Sequence, residues 1–499
     1  MTPDSLESQI SPSEPPQPKY FWDRLSYSAL QKTAVVFCIL LICLPIFIGL
    51  TVRPWIYWLK GEVGVKFLYY HIVGQYWYST LYIISLIAMV CMLLIFVYKL
   101  RHRPFLRLGK QQNRWTAYWL PVNMLLLLIW STISCLLGKN REWALWGDGF
   151  CHEGLLMFLF YGTFFVLASQ FSLKQMRLAA EVFACVSTIT GILVITQGQL
   201  IPGLFYVEDK YTVMFHNCNH YGYFTAICVP IVIGLILHDT HKSAVFSIFR
   251  ILQLWLILNA TAVNSTHGSF LGIFFALVCM NVFIFANQKS KRGRMIFLDV
   301  FFLCTFLFLN TECTLMEAFV YLFKQLFNLS SEADKTVAWD DVGHGRGFLW
   351  RLGLQFACEK PIFGYGGPGN LIEPYGAAGA ALSSPHNDII LISASLGFPA
   401  LAFYLSGLAG HLAGLVKILK KISIFEAAVI GAVGSYLISS LTGTSMYYTT
   451  PYYFMVLGFS YRIYRIHSDQ QSKESAVSME PVTENISESE PAPHMEADS

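Results

Sequence analysis

Long apolar runs with few or no charges follow one another along the chain, separated by short polar segments. They lie at about 33–52, 77–98, 117–137, 154–171, 178–197, 220–238, 246–264, 267–287, 295–311, 389–415, 424–443 and 450–466. A run of 17 or more such residues spans roughly 30 Å of hydrocarbon as a helix, and about twelve are present. A membrane strand would instead alternate apolar and polar positions over segments of about ten residues. Blocks such as Leu125–Ile129 and Ile389–Ile392 are continuously apolar. The pattern predicts an all-α polytopic membrane protein with about twelve transmembrane helices. One long extracytoplasmic loop, 312–388, would contain short helices.

Composition agrees. Of 499 residues, 55% are hydrophobic and 13% charged, and the mean hydropathy is +0.50, too apolar for a soluble protein of this size. Most Lys and Arg fall on one side if the N-terminus is cytoplasmic. The densest inner group is Lys99, Arg101, Arg103, Arg107, Lys110 and Arg114. Cytoplasmic loops carry this excess, so both termini are expected inside and the 312–388 segment outside. No basic region precedes an apolar core in residues 1–18, so the first span is expected to be an uncleaved anchor.

The resulting organisation has five parts. Residues 1–32 form a partly disordered cytoplasmic segment and 33–311 form spans one to nine. Residues 312–388 are the outer loop with the candidate chemistry, 389–466 the last three spans, and 467–499 an acidic tail expected to be disordered. Most cysteines sit in spans, where a thiol packs well. Cys151, Cys218, Cys313 and Cys358 fall on the outer side, with no CxxC metal spacing and no evident disulfide framework.

The outer segment from Gly345 to Asp388 carries cations, glycines and a histidine with no evident task in holding the chain in lipid. Phe348, Leu349, Leu352 and Phe356 recur at helical spacing, so a short amphipathic helix is expected, with Arg346 near its start and Lys360-Pro361 ending it. Gly364, Gly366, Gly367 and Gly369 then form a loop whose backbone can approach a ligand and present amides to anions. Ser383-Ser384-Pro385 signals a helix start, and His386 is expected to open a helix continuing through Asn387 and Asp388.

Three motifs in this order, Gly345 to Trp350, Lys360 to Asn370 and Pro385 to Leu405, resemble the signature region of the O-antigen ligase and O-antigen polymerase superfamily. Two further stretches, Phe215 to Gly222 and Cys151 to Leu156, extend the resemblance over roughly residues 140–460. Such bacterial membrane glycosyltransferases move a glycan from an undecaprenyl diphosphate carrier to an acceptor hydroxyl, with inversion and without a metal ion. The resemblance implies His386 as general base and Arg346 as the group that stabilises the diphosphate leaving group. Arg351, Asn387, His267, Asn219, His220, Gly366 and Gly369 are then expected at the substrate. The partners implied are the lipid-linked donor, a glycan or lipid-glycan acceptor and the bilayer of the bacterial cytoplasmic membrane; no cofactor, metal or nucleic acid is expected.

Alternatives stay open at this level. The family often has an arginine where this chain has His267. Either His267 takes up charge beside the diphosphate, or Arg346 and Arg351 suffice. Arg351 could equally snorkel to headgroups, and Asn219-His220 could cap the span that follows. Ligase and polymerase differ in acceptor rather than catalytic residues. A lipid-linked oligosaccharide flippase is the alternative of another class. Transporters commonly repeat internally, and the outer segment has no counterpart in the N-terminal half.

Overall fold

The structure, a computed structural model, describes residues 26–51, 74–102, 114–148, 152–196, 214–215, 217–239, 243–309, 342–380, 384–444 and 446–477. Within them the chain is helical, and the helices are numbered here in chain order. The first ten are α1 (Tyr27–Thr51), α2 (Gly74–His102), α3 (Arg114–Leu137), α4 (Arg141–Trp146), α5 (Leu155–Ala168), α6 (Leu173–Ile195), α7 (Cys218–His238), α8 (Ala244–Asn264), α9 (His267–Asn287) and α10 (Arg292–Leu309). The rest are α11 (Val342–Glu359), α12 (Ile372–Ala377), α13 (Asp388–Leu396), α14 (Phe398–Ile418), α15 (Ile424–Ser440) and α16 (Thr450–Val477).

Every apolar run is mostly helical where it is described, and no strand occurs among the described residues. Eight of the helices are long and apolar enough to cross a membrane, and α5 and α15 are shorter apolar helices. The protein is therefore an all-α polytopic membrane protein. Polar side chains set several boundaries: Ser172 with Gln175 and Ser423 with Glu426 form capping boxes at the starts of α6 and α15, each satisfying backbone amides that the first turn leaves over.

Three boundaries differ from the sequence expectation. The run 389–415 is two helices, broken at Gly397, whose φ is 88°. Phe398 N–H there bonds Pro361 O at 2.8 Å. A Cβ on Gly397 would collide with the carbonyl of Ile362, so close backbone approach, which an apolar pattern does not register, dictates the break. The helix after Pro385 begins at Asp388 rather than His386. At the C-terminus α16 continues through polar residues to Val477, past 466. Residues 1–25, 310–341 and 478–499, with the expected disordered ends and the first part of the outer loop, lie outside the described residues.

α7 is the central helix, with 94% of its most apolar window buried, and packs against α8, α9 and α15. Lipid tails are as apolar as leucine, so membrane helices associate through close packing of small residues. Gly234 faces Ala428, and Gly268 and Gly272 of α9 face Thr442, Ser435 and Ser439. α3 pairs with α14, α5 with α16, and α1 with α2 and α6.

The two ends of the bundle differ. At one end Gln170 accepts from Tyr27 Oη at 3.1 Å and from Lys99 Nζ, and Arg462 Nε donates to Phe171 O at 3.0 Å. Arg177–Asp239 and Arg250–Glu181 ion pairs bind α6 to the end of α7 and to α8. α1 begins at this end and α16 ends there. The other end gathers the start of α7, the α8–α9 turn, the α15–α16 turn, α11, α12 and the start of α13.

Candidate active site

His386 sits just ahead of α13 and is held from two sides. Asn387 caps the helix, its Oδ1 accepting from Ile389 N–H at 3.0 Å and Ile390 N–H at 3.2 Å, while its Nδ2 donates to Leu441 O at 3.0 Å. The cap explains why an apolar run begins at Asp388, and the second bond ties that start to the end of α15. His386 itself has φ 50°, a left-handed conformation uncommon for a residue with a Cβ. Such strain persists where surrounding contacts over-determine it. The contacts are present: His386 N–H donates to Ser384 Oγ at 3.4 Å, Ser384 Oγ meets Thr444 Oγ1 at 2.9 Å, and Thr444 Oγ1 meets His386 Nδ1 at 3.2 Å.

Arg346, on α11, acts electrostatically on this histidine. It is half-buried, and its charge acts on the His386 ring and on Tyr223 of α7. Burial first, and the Arg346 guanidinium second, push the imidazole down to about 4, since both disfavour the charged ring. At neutral pH His386 is therefore uncharged, the form that can take a proton. α11 starts at Val342, ahead of the expected position, and Gly345 within it has φ 82°.

Tyr223 is 1% exposed. Its hydroxyl lies against Gly443, next to the Thr444 that touches His386, and makes no hydrogen bond among the described residues. A cavity of about 130 Å³, lined by Asp388 at the start of α13, opens between α3, α5, α13, α14 and α16. Most of its lining is apolar, but it includes Glu153, Asp388, Tyr161, Tyr404 and Tyr453. Tyr161 Oη donates to Glu153 Oε1 at 2.6 Å. Burial raises the Glu153 carboxyl to about 8, with the Asp388 and Asp148 charges acting in the same direction and the Tyr161 hydrogen bond against it. His152, just before Glu153, also has a positive φ, 52°, and stacks on Tyr78 at 4.1 Å.

The other expected substrate residues are spread out. Arg351 lies on the exposed face of α11, its guanidinium 5.3 Å from the centre of the Phe348 ring. Its neighbour Arg346 is five residues away, a rotation of roughly 140° at 3.6 residues per turn. His220 is buried at the start of α7 and stacks on Tyr448 at 5.3 Å. Asn219 is half-buried beside it. The cap there is Asn217, which accepts from Asn219 N–H and His220 N–H at 2.9 and 3.3 Å. His267 is exposed at the first position of α9. Thr266, which precedes it, donates to Cys218 O or to Asn264 Oδ1, at 2.9 and 2.6 Å, so the α8–α9 turn abuts the start of α7.

The glycine loop serves as a clasp. Gly366 and Gly367 N–H both bond Ser395 O at 3.0 Å, and Tyr365 N–H bonds Ala394 O at 3.1 Å. These are amides spent on carbonyls at the end of α13, not left open toward an anion. Gly366 and Gly369 are buried against the end of α3 and against α4, where a Cβ on Gly369 would meet Trp143 O and Asp148 N at 3.0 Å. Asn370 completes the clasp, its Nδ2 donating to Gly366 O at 2.9 Å. Cys218 and Cys358 are unbridged; Cys151 and Cys313 lie outside the described residues.

Sequence reasoning missed Glu153, Asp388, Thr444 and Tyr223 as members of this centre. Glu153 and Asp388 carry a visible signal, an acid at the threshold of an apolar run one or two residues after a histidine. Thr444 and Tyr223 carry none, because an apolar helix and its turn contain many such hydroxyls.

Chemically, the centre joins a neutral imidazole, a guanidinium and a buried hydroxyl with no hydrogen-bond partner among the described residues, at the end of a membrane bundle. A base next to fixed positive charge can deprotonate a nucleophile while a phosphate leaving group is stabilised. A family model described as O-antigen ligase matches residues 252–405. That stretch includes Arg346, His386 and Asp388, whereas Glu153, Tyr223 and Thr444 lie outside it. No curated protein matches the chain.

Proposed function

With an O-antigen ligase domain at residues 252–405 the chain belongs to the O-antigen ligase superfamily, and from that premise we propose a metal-independent, inverting glycosyltransferase. Its donor is a glycan on undecaprenyl diphosphate and its acceptor a hydroxyl at the outer face of the bacterial cytoplasmic membrane. In the reaction the acceptor oxygen attacks the anomeric carbon from the side opposite the leaving group. The bond from that carbon to the phosphate oxygen breaks, its electron pair departing with undecaprenyl diphosphate. His386 Nε2 takes the acceptor proton, and Arg346 stabilises the charge growing on the diphosphate. Arginine suits that task through its planar donor fork and permanent charge.

The observation that carries this reading is the electrostatic interaction between Arg346 and His386, two motif residues about forty positions apart in sequence. The separation of basic residues supports the orientation, because Lys99, Arg177, Arg250 and Arg462 gather at the end of the bundle away from His386. The test is transfer in membranes supplied with a lipid-linked oligosaccharide. His386→Ala is expected to abolish transfer while the protein still inserts and folds. Arg346→Lys keeps the charge and loses the fork, and a large loss of rate is expected. Retained transfer in His386→Ala would remove the base assignment.

A further inference from the structure

Histidine can act as a base through Nε2 only if Nδ1 holds the ring's proton, so the group at Nδ1 selects the tautomer. In this protein the atom at Nδ1 is Thr444 Oγ1, 3.2 Å away. Thr444 comes from the α15–α16 turn, outside the matched domain, and is 8% exposed. Its hydroxyl also meets Ser384 Oγ at 2.9 Å, and Ser384 Oγ accepts from His386 N–H at 3.4 Å. Asn387 anchors the same segment to Leu441, three residues before Thr444.

We propose that Thr444 is the positioning residue of the proposed transferase: it accepts His386 Nδ1–H, donates its own proton to Ser384 Oγ, and thereby holds Nε2 open toward the acceptor hydroxyl. The inference rests on the reading of His386 as the base.

The donors and acceptors balance. Thr444 Oγ1 accepts one bond and gives one. Ser384 Oγ accepts from both the Thr444 hydroxyl and the His386 amide, as its two lone pairs permit. When Nε2 receives the acceptor proton the ring becomes an imidazolium, and the Nδ1–H bond to Thr444 becomes charge-assisted and stronger. No proton passes through Thr444. A base whose ring is oriented by a third group is the general arrangement of activated nucleophile sites; here that third group is a neutral hydroxyl. A neutral orienter is compatible with Arg346, which already brings a positive charge to the ring.

The reverse arrangement, with Thr444 donating to Nδ1, would put the proton on Nε2 and silence the base. The two arrangements make opposite forecasts. Thr444→Val keeps the shape and removes the acceptor. Its expected effect is a fall in kcat of roughly tenfold to a hundredfold, as for other partners that orient a functional histidine, with KM for the donor little changed. Thr444→Ser retains the hydroxyl and should recover most of the lost rate.

Wild-type or raised kcat in Thr444→Val would overturn the proposal, as would a Thr444→Ser variant as slow as Thr444→Val, which would assign the loss to packing of the methyl group. The arms separate the two levels of inference. If His386→Ala retains transfer, the base reading itself falls; if it abolishes transfer while Thr444→Val is unimpaired, only the role of Thr444 falls.

Discussion

Gly366→Ala is the sharpest structural perturbation available, because two independent costs meet at one methyl group. Gly366 has φ 84°, where an L-residue loses roughly 1–2 kcal/mol relative to glycine. Its Cβ would also fall on the Gly138 backbone. Both partners are main chain, so neither can swing aside as a side-chain tip would, and forced overpacking costs about 1–3 kcal/mol. Together the loss is expected at about 2–5 kcal/mol. Moving the loop to relieve the clash would strain the two bonds from Gly366 and Gly367 to Ser395 O. The control is Gly376→Ala, on the short helix α12, with nothing within 4 Å of its Cβ and no left-handed φ; it should be neutral or slightly stabilising. The assay is unfolding in detergent micelles followed by tryptophan fluorescence, with transfer activity measured in parallel. Gly366→Ala should unfold well before the control and lose transfer, since the loop clasps one end of α13 and His386 precedes the other. Equal stability of the two variants would refute the argument that the loop is a backbone-to-backbone clasp.

Other expectations concern charge and burial. Because His386 is held down at about 4, the acid limb of the transfer rate should stay flat from pH 8 to pH 6 and fall only as pH approaches that value; a limb centred near 6.5 would mean an exposed, unperturbed ring. The same depression should make the folded state lose stability as pH falls from about 6.5, where the unfolded ring begins to take up a proton. Glu153 works in the opposite sense: raised to about 8, it binds a proton in the folded state that the unfolded chain has released above about 4.5, so its contribution to stability is lost as pH rises from 4.5 through 8. Glu153→Gln should remove that loss, giving a variant more stable than the parent at pH 8.5 in a thermal melt, and an unchanged pH dependence would count against a protonated Glu153. Tyr223→Phe should raise stability by about 1 kcal/mol, because a buried hydroxyl without a partner is costly; a drop of similar size would show that the hydroxyl is bonded after all.

The membrane class and the helices were legible in residue order alone. A span needs only a sufficient run of apolar side chains, and that is a one-dimensional property. His386 and Arg346 could be singled out there too, through motifs that keep their spacing, and their roles remain the proposal made above. The break at Gly397 was not, because it depends on Ile362 and Pro361 crowding the backbone from another segment. Nor was the use of the glycine loop: four glycines suit an anion cradle and a backbone clasp equally, and the carbonyl of Ser395 decides between them. Asn387 reads as a substrate ligand in a motif and becomes a helix cap once Ile389 and Ile390 amides are seen against it.

What the chain determined by itself is thus the set of hydrophobic spans and the identity of the rare polar groups among them. What only the tertiary structure decided is which of those groups share a space. Hydrophobic free energy is nondirectional and sums along the sequence, whereas a hydrogen bond or a charge interaction depends on distance and angle between residues far apart in the chain. Hence the charge of Arg346 acts on His386 and Tyr223, and Glu153 joins Asp388 in the lining of one cavity. Thr444, unremarkable in its turn, stands at the ring nitrogen of His386.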